Sequence, residues 1–142
     1  MTTVLQPDAR AARLEILRRE YMNDIIARAA RTNRSVRITS YVLADSGEER
    51  RADLDLIRAH AVTLAWKVAS PTFADMVQPP PLTQRPGFGA ACRYATQGYA
   101  HGIVAIARPA LTTDDEAYTH VLEYLYHRSV FLAYLPAVST GH

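Results

Sequence analysis

A serine hydroxyl next to a carboxylate at Asp45-Ser46, with guanidinium groups at Arg85 and Arg108, are the residues of this sequence from which a phosphoryl-transfer site could be assembled. A serine attacks a phosphodiester poorly unless cations lower its pKa and stabilise the charge that develops on the phosphate oxygens. Only Arg85 and Arg108 stand in loops from which they could do so. A second set, His120, Glu123 and His127, recurs at i, i+3 and i+7 on one expected helix face and could approach a metal. It matches no zinc motif, and a surface or packing role is the simpler reading. Asp114, Asp115 and Glu116 stand where a helix dipole attracts acids in any case. Gly87, Gly89 and Gly98 have neither the dinucleotide-binding nor the Walker spacing. Cys92 is the only cysteine, which excludes an internal disulfide and a cysteine-based metal cluster. No metal and no cofactor are expected.

The elements that would position these residues follow from periodicity and punctuation. Asp8 to Arg31 reads as a helix, with Leu14, Leu17, Tyr21 and Ile25 at spacings of three and four. Val36 to Ala44 has the β-branched and aromatic content of a buried strand, and Asp45-Ser-Gly47 is a turn that opens a helix over Glu48 to Ala61. Val62 to Ala69 is expected as a second strand ended by Ser70-Pro71, followed by an extended, mobile loop from Phe73 to Arg85 that includes three consecutive prolines. Pro86 starts a helix running through Thr96 towards Gly98. Gly102 to Ala107 is a short strand, Thr113 to Glu116 a capping box for a helix reaching His127, and Val130 to Leu135 the last strand. Tyr118, Val121, Leu122 and Leu125 should face inward on that helix, leaving Tyr124 or Tyr126 at its margin.

Strands alternating with helices predict one α/β domain over residues 36–142, a mainly parallel four-stranded sheet with helices on both faces, preceded by a basic amphipathic helix within residues 1–35. Ligands of such sheets gather at the carboxyl ends of the strands, here Asp45–Ser46, the loop around Asp75–Arg85, and Arg108–Thr112.

Composition agrees with a globular chain: 142 residues, 49% hydrophobic and 21% charged. No apolar run approaches the roughly 20 residues of a membrane span, and the N-terminus lacks a signal-peptide pattern, so a cytoplasmic protein with no membrane contact is expected. The net charge of +2 is uneven, with seven arginines against four acids in residues 1–35. Those arginines, Arg18 and Arg19 among them, suit phosphate contacts, although an arginine-rich composition also follows from codon bias.

At the strand ends the sequence resembles the catalytic domain of the resolvase/invertase serine recombinases. Ser40-Tyr-Val-Leu-Ala-Asp45 stands where that family has its nucleophile turn, and Phe73-Ala-Asp75 resembles the segment after its second strand. Gln84-Arg-Pro-Gly-Phe88 resembles the start of its next helix, and Gly98 to Ile106 its turn into the third strand. The resemblance implies a resolvase-like fold over residues 36–135. It also marks what is missing. Asp45 falls at the nucleophilic serine, Leu43 at the preceding arginine, and Ser46 could substitute only if the turn slipped by one residue. In the third-strand loop only Arg108 remains, displaced, and Arg85 alone keeps its place.

Three functions follow as expectations. The first is a non-catalytic recombinase-like domain acting by association, with itself as a homodimer or with a recombinase-type, DNA-bound partner. The second is a non-specific nucleic-acid-binding module using Arg18, Arg19 and Arg85. The third is a residual strand-transfer enzyme using Ser46. Seven residues after Leu135 are too few for a helix-turn-helix reader, so any DNA binding is expected to be weak, non-specific or assisted.

Overall fold

The structure is a computed structural model and describes residues 7–136; the first six residues and the tail after Pro136 lie outside the described residues. Helix α1 (Pro7–Arg31) leads into β1 (Arg37–Leu43), α2 (Gly47–Thr63), β2 (Lys67–Asp75), α3 (Pro86–Tyr94), β3 (Gly102–Ala105), α4 (Asp115–Tyr126) and β4 (Phe131–Tyr134). All pairings are parallel and the strand order is β2-β1-β3-β4, so each connection crosses over through a helix as parallel pairing requires.

The sheet is buried on both faces. One layer gathers Tyr41, Phe88, Ile103, Leu111, Tyr118, Leu122 and Leu125 between the sheet and helices α3 and α4. The other gathers Ile25, Ile38, Val42, Ile57, Ala61, Val104 and Phe131 beneath α1 and α2. Because side chains alternate along a strand, Ile38 and Val42 face one layer while Tyr41 faces the other. Gly102 admits the Phe131 ring, which a Cβ there would meet at 2.4 Å.

Helix α1 lies on the domain at β4. Its Leu14, Leu17 and Tyr21 pack against the first layer and its Ile25 enters the second. Tyr21 stacks on Tyr126 of α4 with ring centroids 4.0 Å apart.

Three local expectations need correction. The second strand begins at Lys67, since Val62 and Thr63 complete α2 and Ala65, at φ 59°, turns the chain out of the helix. The alternation that suggested a strand from Val62 reflects a helix end whose Val62 side chain is exposed. Ser70-Pro71 does not end the strand either. The register shifts between Ile38 and Ser40, and the Thr39 hydroxyl donates to the Pro71 carbonyl at 3.0 Å. A proline with no N–H is tolerated there because β2 is an edge strand with a bulge. Phe73–Asp75, expected as loop, is thus strand, paired with Tyr41–Leu43. Finally, α4 is capped by Asp114, whose carboxylate accepts from the Glu116 and Ala117 amides, and not by Thr113. A carboxylate is the stronger acceptor for those amides.

Candidate functional site

Parallel strands deliver their carboxyl ends to one edge, and the loops there carry Asp45, Ser46, Arg85 and Arg108. A cleft of about 520 Å³ opens between the ends of β1 and β2, lined by Asp45, Ser46, Arg50, Asp75, Met76 and Pro86 among others. Ser46 is the N-cap of α2, and its Oγ accepts the Glu49 amide at 3.1 Å. The Asp45 carboxylate accepts the Val77 amide at 2.9 Å, which ties the two strand ends together.

The two arginines that could supply charge to the hydroxyl are held by other partners. Arg85 is buried, its Nε donating to the Pro80 carbonyl at 2.9 Å and its Nη1 to the Ala110 carbonyl at 2.8 Å, so it fastens the proline loop to the turn after β3. Arg108 donates to Asp115 Oδ1 at 2.5 Å and lies over the Tyr118 ring, 4.2 Å from its centroid. Neither lines the cleft that holds Ser46. The cation that does line it is Arg50, one turn into α2, and its Nη2 bonds Thr72 Oγ1 at 3.0 Å. The cleft thus holds a hydroxyl, two carboxylates and a guanidinium already engaged by Thr72.

Asp75 is the hub of this edge. It accepts the Tyr41 hydroxyl at 2.7 Å and the Gly87 and Phe88 amides at 2.9 Å each, and so caps α3 from the end of β2. Gly87 permits the approach, since a Cβ there would lie 2.1 Å from the Ala74 carbonyl oxygen. Burial, and then the bond to Asp75, pushes the Tyr41 phenol far above its ordinary pKa, so it serves as a neutral donor.

Beyond β3 and β4 a second polar cluster is sealed by α1. Tyr118 and Tyr134 share a hydroxyl bond of 2.7 Å between Arg108 and Arg18, and burial raises both phenols. Arg18 is 6% exposed; its Nη1 donates to the Leu132 carbonyl at 2.8 Å while Nε and Nη2 bond Glu15 at 2.7 and 2.6 Å. The bond from Arg18 holds the Glu15 carboxyl below its ordinary value. Arg19 is exposed and also bonds Glu15. His120, Glu123 and His127 are all exposed on α4 and its end, and among the described residues no three such side chains are placed to share a metal.

Tyr41, Asp75 and Arg50 were not singled out by residue type. The register of β1 on β2 would have found the first two, because Tyr41 and Leu43 pair with Phe73 and Asp75.

No protein-family model matches the chain, and no curated protein matches it. Among solved structures, it is similar to the C-terminal catalytic domain of ISC1926 TnpA, an IS607-like serine recombinase, with a TM-score of 0.61 and 15% identity over 72% of each chain. The chain therefore has the fold of a serine recombinase catalytic domain, a four-stranded parallel sheet with four helices. At that identity the likeness is one of fold. Among the described residues no helix is long and apolar enough to cross a membrane.

Proposed function

We propose that the chain is a recombinase-like domain that acts by association, with a second copy or with a recombinase-type partner, and does not transfer DNA strands. One observation carries this reading: the Ser46 hydroxyl caps α2 in a cleft that Arg85 and Arg108 do not line, each of them held by internal partners. Without cations at the hydroxyl, the attack on phosphate lacks the electrostatic stabilisation that usually dominates such catalysis. The surfaces for association are apolar. Met76 and Val77 project beside the cleft, and Leu56, Val62 and Leu64 are exposed on α2 and its end.

The alternative of phosphate contacts through Arg18, Arg19 and Arg85 is disfavoured by the burial of Arg18 and Arg85, which leaves Arg19 as the exposed member of that set. The test is incubation with supercoiled plasmid, denaturing electrophoresis for covalent protein–DNA adducts, and sedimentation of the same preparation across a concentration series. Intact plasmid and a mass that rises with concentration, or on adding a serine recombinase, are expected. An adduct lost in Ser46→Ala, or a monomer that takes up no recombinase, overturns the reading.

A further inference from the structure

In a parallel sheet the residues that open each strand share one edge, opposite the edge where catalysis is sought. Here they are Arg37 at the start of β1, Lys67 at the start of β2 and His101 just before β3. Arg34, in the turn after α1, joins them around a depression of about 400 Å³ that is also lined by Tyr99. No carboxylate lines this depression. Two smaller depressions adjoin it: one shares Arg34 and His101 and adds Arg28, the other shares Arg37 and Lys67 and adds Tyr94. No carboxylate lines those either, although Arg28 is paired with Asp24 at 2.6 Å. Among the described residues, Arg34, Arg37 and Lys67 are exposed and make no ion pair, so their charge is available to a ligand.

Two features narrow the ligand. The three depressions adjoin through shared lining residues and together form a trough along the sheet edge, which suits an extended polyanion better than a compact one. Its aromatic wall is a stacked pair, Tyr94 and Tyr99, with centroids 5.2 Å apart and planes 23° apart, and Tyr99 is 53% exposed. A ring supported on one side and open to solvent is a platform for a nucleobase, and base faces are available in single strands and hidden in a duplex. His101 accepts the Arg37 amide through Nδ1 at 3.0 Å, which leaves Nε2 as its donor.

We infer that the amino-terminal edge of the sheet binds single-stranded nucleic acid, with Arg34, Arg37 and Lys67 on backbone phosphates and Tyr99 stacked against a base. The inference does not rest on the association reading, and it survives whether or not Ser46 can form an adduct.

The test is fluorescence anisotropy of the full chain with a labelled oligothymidine and with a duplex of equal length, each at low and moderate salt. Three proteins are compared with the wild type: Arg34→Ala/Arg37→Ala/Lys67→Ala, Tyr99→Ala, and a control triple, Arg13→Ala/Arg19→Ala/Arg51→Ala, which removes the same charge elsewhere. All seven side chains are exposed, and a melting curve for each variant confirms folding. The single strand should bind more tightly than the duplex. The edge triple should reduce the slope of log affinity on log salt by about 2, at roughly 0.7 per phosphate on single strands. Tyr99→Ala should weaken the single strand about tenfold and leave the duplex unchanged. The inference fails if nothing binds at low salt, if the control triple loses as much as the edge triple, if Tyr99→Ala has no effect, or if polyglutamate competes as well as the unlabelled strand.

Discussion

The Tyr41 hydroxyl meets Asp75 at 2.7 Å across neighbouring strands, and the same carboxylate holds the first two free amides of α3. One side chain therefore fixes the angle between strand and helix at the carboxyl edge of the sheet, where ligands of parallel sheets gather. Here its work is structural. Asp75→Ala should lower the unfolding free energy by about 2–4 kcal/mol, combining a lost cap with a buried phenol left unpaired. Tyr41→Phe should lower it by about 1 kcal/mol, because the carboxylate keeps both amides. Denaturant midpoints with an unchanged slope would establish both values.

Arg18 should behave as a core residue. Arg18→Ala removes the partner of the Leu132 carbonyl and is expected to cost about 2 kcal/mol. Arg19→Ala, at an exposed pair, should cost less than about 0.5 kcal/mol. Thermal melts of the two variants side by side would show the contrast, and equal losses would contradict the packing of α1 on β4.

Ser46→Ala should cost about 1 kcal/mol through the lost cap of α2, and Ser46→Asp should restore most of it, since a carboxylate caps as well as a hydroxyl. Unfolding titrations read this directly. A catalytic hydroxyl would not be replaced by aspartate without loss of function.

Stability should also depend on pH near neutrality through His101. Burial, followed by the charges of Arg34 and Arg37, lowers its pKa below the ordinary 6.5, so the unfolded chain takes up this proton more readily than the native one. The native state is favoured fully above pH 6.5, loses stability as pH falls through that value towards the folded pKa, and gains no further loss from this group below it. His101→Gln should flatten that part of the curve, measured as denaturant midpoint against pH. Glu15 acts in a separate window: its lowered pKa stabilises the protein above the ordinary carboxyl value, and that contribution disappears as pH falls through the folded pKa.

The element order was legible in the sequence because strong signals coincide with it: the β-branched run at Val36–Ala44, the helical stripe from Leu14 to Ile25, and Gly98, whose φ of +98° suits glycine. Boundaries were lost where tertiary context overrode local pattern, as at Val62, which is helical, and Pro71, which an edge bulge accommodates. The candidate site was legible as a set of loops and illegible as chemistry. Nothing in the spacing of Arg85 says that its guanidinium turns inward to two carbonyls, and nothing at Arg18 says that it bridges to a residue 114 positions away. The basic residues at the opposite edge were within reach, since a parallel order alone brings the cations Arg37 and Lys67 together beside His101.

The position of α1 limits how copies of this domain could assemble. β4 ends the sheet on one side, and α1 lies against it with Arg18 occupying an outward carbonyl, so no incoming strand can zip onto that border without first displacing a 25-residue helix. On the other border, Pro71 and the bulge of β2 interrupt the regular ladder that strand donation needs. Sheet extension into a filament, or a dimer sharing one continuous sheet, is thereby discouraged at both ends, which leaves helix faces and loops as the surfaces open to contact.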